Sequence, residues 1–144
     1  MITLDASVIV RSFDPADPHQ PVCQSLLDTL EQRAIAVILP RLVLAELAGA
    51  VRRLLRDPIR ARLAVSAWSA LPHVQIVPLD DLLLDTAAEL AGDYALRGAD
   101  AVYVAVAQRH ACTLVSLDRE QRERAAPVVT TTTPAEMLTK LMHP

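Results

Sequence analysis

Hydrophobic and polar positions along the chain fall into two alternating textures. Short runs rich in Val, Ile, Leu and Thr occur at 2–5, 36–39, 74–77, 113–117 and 128–131. Each is too short for a helix and lacks in–out alternation, as expected of a parallel strand buried on both faces. Between them lie stretches with helical spacing. Val22, Leu26, Leu27 and Leu30 recur down one face of the segment starting at Gln20. The stretches LVLAELAGAVRRLL and RARLAVSAWSAL read as a helical pair interrupted at Asp57–Pro58, because proline disfavours helical backbone in the residue before it. DDLLLDTAAELAGDYAL is amphipathic and should stop near Gly98, whereas ADAVYVAVAQRHA is apolar nearly all round and should be buried. TPAEMLTKLM opens with Thr133, Pro134 and Glu136 in the order of a capping box with proline at the first helical position.

Strands alternating with helices over short connections predict an α/β fold: a three-layer α/β/α sandwich around a short parallel sheet of about five strands. At 144 residues the chain reads as one domain, 1–144. With 52% hydrophobic residues and only 3% aromatic, its core should be aliphatic. No apolar run is long enough for a membrane helix, and Asp5 interrupts an N-terminus that lacks a basic leader. Cys23 and Cys112 have no metal-ligand spacing and read as reduced, packed residues of a cytoplasmic protein.

Two apolar runs, more than a hundred residues apart, end on aspartate: ITL on Asp5 and TLVSL on Asp118. In a parallel sheet all strand C-termini share one edge, where ligands gather near the point at which strand order reverses. Neighbouring strands would bring these carboxylates to about one strand spacing, ~5 Å. Each aspartate also suits the N-cap of a following helix. Gln121, three residues after Asp118, suggests a capping box there, and Asp100, just after Gly98, occupies another natural cap position. Glu46 is different. It lies inside a helix among Leu44, Ala45, Leu47 and Ala48, where no cap is needed and an ionised carboxylate requires compensation. Gly49 leaves space above it, and Arg53, two turns on, is a candidate salt-bridge partner. With no lysine and few arginines beside these acids in sequence, a cluster of them would call for a hard cation, magnesium or manganese. The four histidines show no zinc spacing.

The net charge of −3 does not mark a nucleic-acid binder. Segment 52–62 nonetheless holds five arginines against a single aspartate. It reads either as a solvated helix face or as a phosphate-contacting patch carried by Arg52, Arg53 and Arg56.

Taken together, LDASVIV, PRLVLAELAGAVRRL and GADAVYVAVAQRHACTLVSLD, with Asp5, Glu46, Asp100 and Asp118 in that order, resemble the PIN domain across essentially the whole chain, and within it the VapC-type toxins of toxin–antitoxin pairs. The resemblance implies a Mg²⁺- or Mn²⁺-dependent endoribonuclease in which the four acids hold the metal and carry catalysis. Ser7 and Ser116 stand where relatives have hydroxyl residues that support a carboxylate or water. It further implies an RNA substrate, a cognate antitoxin and a homodimer. Gly49 replaces an asparagine common in relatives. A receiver domain would need an acidic pair after the first strand, where alanine follows Asp5, and a haloacid-dehalogenase-type phosphatase would need an aspartate at Ser7. The alternative of another class is a non-catalytic PIN-fold binding module.

Overall fold

The computed structural model describes residues 1–143. Five strands form one parallel sheet in the order β3-β2-β1-β4-β5. They are β1 (Ile2–Leu4), β2 (Val37–Pro40), β3 (Val74–Val77), β4 (Thr113–Val115) and β5 (Thr131–Thr132). Helices α1 (Ala6–Ser12) and α2 (Gln20–Gln32) connect β1 to β2, and α3 (Leu42–Leu55) and α4 (Pro58–Ala70) connect β2 to β3. Helices α5 (Asp81–Tyr94) and α6 (Gly98–Arg109) cross back to β4, α7 (Arg119–Ala125) leads to β5, and α8 (Pro134–Met142) closes the described chain.

This order carries the chain outward from β1 to β3, back to β4 on the other side of β1, and on to β5. Right-handed crossovers therefore lay α1–α4 over one face and α5–α7 over the other. The packing agrees: α1 meets α2 and α3, α3 meets α4, α5 meets α6, and α8 returns against α2. Direction reverses between β1 and β4, which pair in register from Ile2 opposite Thr113 to Leu4 opposite Val115. The C-terminal edge at that seam is the place where such sheets bind ligands.

The core is aliphatic. Leu4, Ile9, Leu26, Leu30, Leu39, Leu47, Leu83 and Leu114 are fully enclosed, each worth ~1.5–3 kcal/mol of burial. Helix α6 is buried without interruption from Ala101 to Ala107 and packs across β1, β2 and β4, which accounts for its lack of a polar face. The expected break in the helical pair falls between Leu55 and Pro58, where Asp57 caps α4 by accepting from the amides of Ile59 and Arg60. Thr133 and Glu136 form the capping box of α8.

Three expectations shift. Helix α5 ends earlier than Gly98, with Ala95 in the left-handed region at φ 52°, and Gly98 instead opens α6. The last strand forms at Thr131–Thr132 rather than 128–131, because the amides of Val128 and Val129 both donate to Ala125 O in the turn that finishes α7. The short helices α1 and α7, seven residues each, sit where the hydrophobic pattern alone showed no helix. Cys23 and Cys112 are buried and unpaired. Among the described residues no helix is long and apolar enough to cross a membrane.

Candidate functional site

Asp5 lies one residue beyond β1 and is tied to the neighbouring strand by its own amide, which donates to Val115 O at 2.9 Å. Its side chain, 8% exposed, is held by two donors: the Ser7 amide to Oδ2 at 2.9 Å and the Gln121 carboxamide to Oδ1 at 3.3 Å. Asp5 is thus a cap of α1 as well as a buried carboxylate at the seam. Asp118 lies three residues beyond β4, capping α7 through the Gln121 amide at 3.1 Å. The capping box expected from Gln121 does not close. Its side chain turns to Asp5 instead, so one glutamine engages Asp118 through its backbone and Asp5 through its carboxamide. Gln121 is 1% exposed, and its Oε1 has no partner within the protein.

Asp100 is not a cap. Arg97 holds that position for α6, and Asp100 faces the site from the first helical turn. Burial pushes its carboxyl up to about 6, with Asp5 and Asp118 adding like-charge repulsion. Arg97 opposes this and Glu120 adds to it. Glu46 projects from α3 toward α6, where the Tyr103 hydroxyl donates to its Oε2 at 2.5 Å. Burial raises the Glu46 carboxyl, the Tyr103 bond lowers it, and Asp5 and Asp100 raise it again. Arg53 is not its partner: no ion pair joins them among the described residues. Tyr103, almost fully enclosed, has its own ionisation driven far upward by burial and by the Glu46 charge, so it remains a neutral donor.

Ser116 is fully buried, and its hydroxyl accepts from the Asp118 amide at 3.0 Å, which fixes the backbone leading into that acid. Ser7 contributes its amide to Asp5, while its hydroxyl is buried and lacks a protein partner. The scarcity of cations read from sequence is corrected at one point. Arg97, remote in sequence from Asp118, reaches it at 3.6 Å and Glu120 at 3.4 Å. Arg52, Arg53 and Arg56 are all exposed. Of these only Arg53 lines the cavity of about 430 Å³ beside Glu46 and Ser7.

The four acids thus come from four separate segments to one edge, near enough that Asp5 acts on the Glu46 and Asp100 carboxyls and Asp118 acts on Asp100. Among the described residues, however, no group of three or more His, Cys, Asp or Glu side chains is arranged to hold a metal ion. The chemistry of the set fits a hard divalent cation nonetheless: oxygen donors only, two carboxyls raised by burial and further by like-charged neighbours, and an unpartnered Ser7 hydroxyl. The neutral donors on Asp5 and Glu46, and the cation at Asp118, escaped the sequence pattern. Only three-dimensional proximity identifies Tyr103, Arg97 and Glu120, and the reach of the Gln121 carboxamide to Asp5.

No curated protein matches the sequence. Among solved structures the chain is similar to Mycobacterium tuberculosis VapC20, a sarcin-ricin loop cleaving toxin, at 20% identity over 90% of this chain and 97% of that one, with a TM-score of 0.73. It is similar to FitAcB from Neisseria gonorrhoeae at 24% identity, covering 93% and 98%, with a TM-score of 0.70. A toxin–antitoxin complex from Klebsiella pneumoniae matches at 17% identity, covering 93% and 98%, with a TM-score of 0.68. At these identities the likeness is one of fold. The PIN domain family model matches residues 2–127, from β1 through α7, and by that match the chain belongs to the PIN domain family.

Proposed function

We propose that this PIN-domain protein is a divalent-metal-dependent endoribonuclease acting as the toxin of a type II toxin–antitoxin pair. The observation that carries the reading is the convergence of four carboxyls at the β1–β4 seam, where burial raises Glu46 and Asp100 and the charges of Asp5 and Asp118 add to it, Asp5 at both and Asp118 at Asp100, in a fold that binds ligands at that edge. Glu46 carries particular weight, because a helix-interior carboxylate held by a buried tyrosine has no capping role.

Asp5, Glu46, Asp100 and Asp118 would hold Mg²⁺ or Mn²⁺. A bound divalent cation supplies Lewis acidity to a phosphodiester and its attacking water. The chain's own residues prepare for it. Gln121 and the Ser7 amide fix Asp5, Tyr103 fixes one oxygen of Glu46, and Ser116 fixes the turn carrying Asp118. Asp100, with its carboxyl raised to about 6, gives up its proton on meeting a cation, so metal binding should weaken as pH falls through that value. Hydrolysis by water needs no protein nucleophile.

The toxin–antitoxin complex among the structural relatives supports an antitoxin as partner. Exposed Leu54, Leu55, Ile59 and Leu63 at the α3–α4 end offer apolar surface for that contact or for a homodimer. The reading places the protein in the cytoplasm with its RNA substrate.

Purified protein incubated with total RNA should generate discrete new ends with Mg²⁺ or Mn²⁺ and none with EDTA. Asp5→Asn should abolish them while the circular dichroism spectrum persists. A folded, metal-loaded wild-type chain that leaves RNA intact would hand the site to the non-catalytic reading.

A further inference from the structure

Five arginines crowd segment 52–62, yet their positions are not equivalent. Arg60 leans toward Asp57 at 3.7 Å, and Arg56 occupies the left-handed turn that ends α3. Of the five, Arg53 alone lines the cavity beside Glu46, together with Ser7, Val10, Ala50, Leu54 and the acids Asp14 and Asp17. Arg11, the other cation on that wall, is neutralised by Asp17. Arg53 takes part in no ion pair among the described residues, and it is not among the charges acting on the Glu46 carboxyl. It is an uncommitted guanidinium next to a candidate metal site.

Gly49 explains how it lies there. A Cβ at position 49 would stand 3.1 Å from Arg53 Nη1, tighter than ordinary contact. Glycine therefore opens a seat on the helix surface, one turn below Arg53, in which the guanidinium lies back toward Glu46. The seat costs α3 helix propensity, since glycine is the poorest helix former after proline.

We propose that Gly49 and Arg53 form a phosphate subsite. The seated guanidinium takes a backbone phosphate of single-stranded RNA next to the scissile one, while Val10, Ala50 and Leu54 supply an apolar wall for the adjoining nucleoside. The planar fork of arginine suits two phosphate oxygens at once. The cavity, about 430 Å³, is in the size range of small-molecule sites. This inference rests on the nuclease reading of the acidic edge and narrows the basic segment to one residue with a built position.

The test uses the full chain in an Asp118→Asn background with Mg²⁺, so that RNA is not consumed. The probe is a fluorescein-labelled 12-nucleotide RNA of mixed sequence, read by anisotropy across a salt series. Adding Arg53→Ala should weaken binding about tenfold and reduce the salt slope by about 0.7, the value for one phosphate contact on a single strand. Arg62→Ala, an exposed arginine away from the cavity, should leave Kd within about twofold, as a rim charge does. Gly49→Met should raise the melting temperature by restoring helix propensity while weakening RNA binding, because its side chain fills the seat. Unchanged Kd and slope for Arg53→Ala overturn the subsite, as does equal weakening by Arg62→Ala or Gly49→Met binding as tightly as glycine. The nuclease reading is tested separately, by cleavage in the wild-type chain: RNA bound through Arg53 but never cut would sink that reading and leave the subsite standing.

Discussion

The four acids form two unlike pairs. Asp5 and Glu46 belong to the face of the sheet that the chain covers first, and each is pinned by a buried neutral donor, the Gln121 carboxamide and the Tyr103 hydroxyl. Asp100 and Asp118 belong to the later half, are half-buried as Glu46 is, and share a cation, Arg97, which reaches Asp118 at 3.6 Å and opposes the raised carboxyl of Asp100. The inner pair is oriented by hydrogen bonds that leave its charge uncancelled. The outer pair is partly cancelled by charge. Orientation without neutralisation suits metal ligands, since the attraction for a cation is kept while rotamer freedom is already lost. The inner acids should therefore tolerate least, and the outer pair should answer mainly to pH and salt.

The largest expected effect comes from the inner acids. Asp5→Asn and Glu46→Gln keep shape but remove a charge and turn one acceptor oxygen into a donor. RNA cleavage with saturating Mn²⁺ should fall by about a hundredfold or more, the equivalent of ~2.7 kcal/mol of lost transition-state stabilisation. Both variants should fold, and Glu46→Gln should melt at or above wild type without metal, because a raised carboxyl is a destabilised charge. Cleavage near wild-type rates in either variant breaks the comparison at its root.

Next is the donor that pins Glu46. Tyr103→Phe removes one hydroxyl from an enclosed position and changes nothing else in shape. Calorimetric Mn²⁺ affinity should drop by about tenfold, the lower end for a group that orients a metal ligand. Stability without metal should fall by ~1 kcal/mol from the lost hydrogen bond. Affinity unchanged alongside lowered stability would reduce Tyr103 to a packing residue.

How much of this was open to sequence reading depends on distance along the chain. The apolar runs ending on Asp5 and Asp118 marked the strand ends, and parallel-sheet logic then placed both at one edge. Glu46 declared itself because its neighbours on the helix are apolar. What pins these acids was hidden: Tyr103 stands 57 residues from Glu46, and Gln121 stands 116 from Asp5. Tyr103 sits in a run buried from Ala101 to Ala107, so periodicity marked it only as core. Gln121 looked like half of a capping box because its amide does cap, and nothing local says where its side chain goes. Helices α1 and α7 hold two turns each, too few for a period to emerge. The acids are thus written locally and their supports are not.

A smaller effect separates the pairs by pH. Asp100 has its folded carboxyl raised to about 6, above the ordinary value of about 4 for an unfolded aspartate. The folded state then holds its proton longer than the unfolded state, so this group favours folding at low pH and loses that contribution as pH rises from about 4 to about 6. Melting of metal-free wild type against Asp100→Asn should show the variant gaining relative stability across that interval and holding the gain above it. Mn²⁺ should erase the difference in wild type's disfavour. A constant offset between the two proteins from pH 4 to 7 would mean that Asp100 titrates as an ordinary surface acid.

The smallest effect concerns Arg97, whose two contacts at 3.6 and 3.4 Å are long and whose side chain is 67% exposed. Exposed ion pairs of this kind contribute ~0–1 kcal/mol, so Arg97→Gln should barely move the melting temperature. Its electrostatic consequence should be easier to see. Arg97 is the one charge that lowers the Asp100 carboxyl against burial, Asp5, Asp118 and Glu120. Removing it should raise the Asp100 titration midpoint further, as read by NMR on metal-free protein. Glu46 should titrate as before, since Arg97 is not among the groups acting on it. Metal affinity should rise slightly at neutral pH, because a competing cation has left the outer pair. Equal shifts at Asp100 and Glu46 would show that the four carboxylates respond as one electrostatic unit, and the division into a pinned inner pair and a neutralised outer pair would fall.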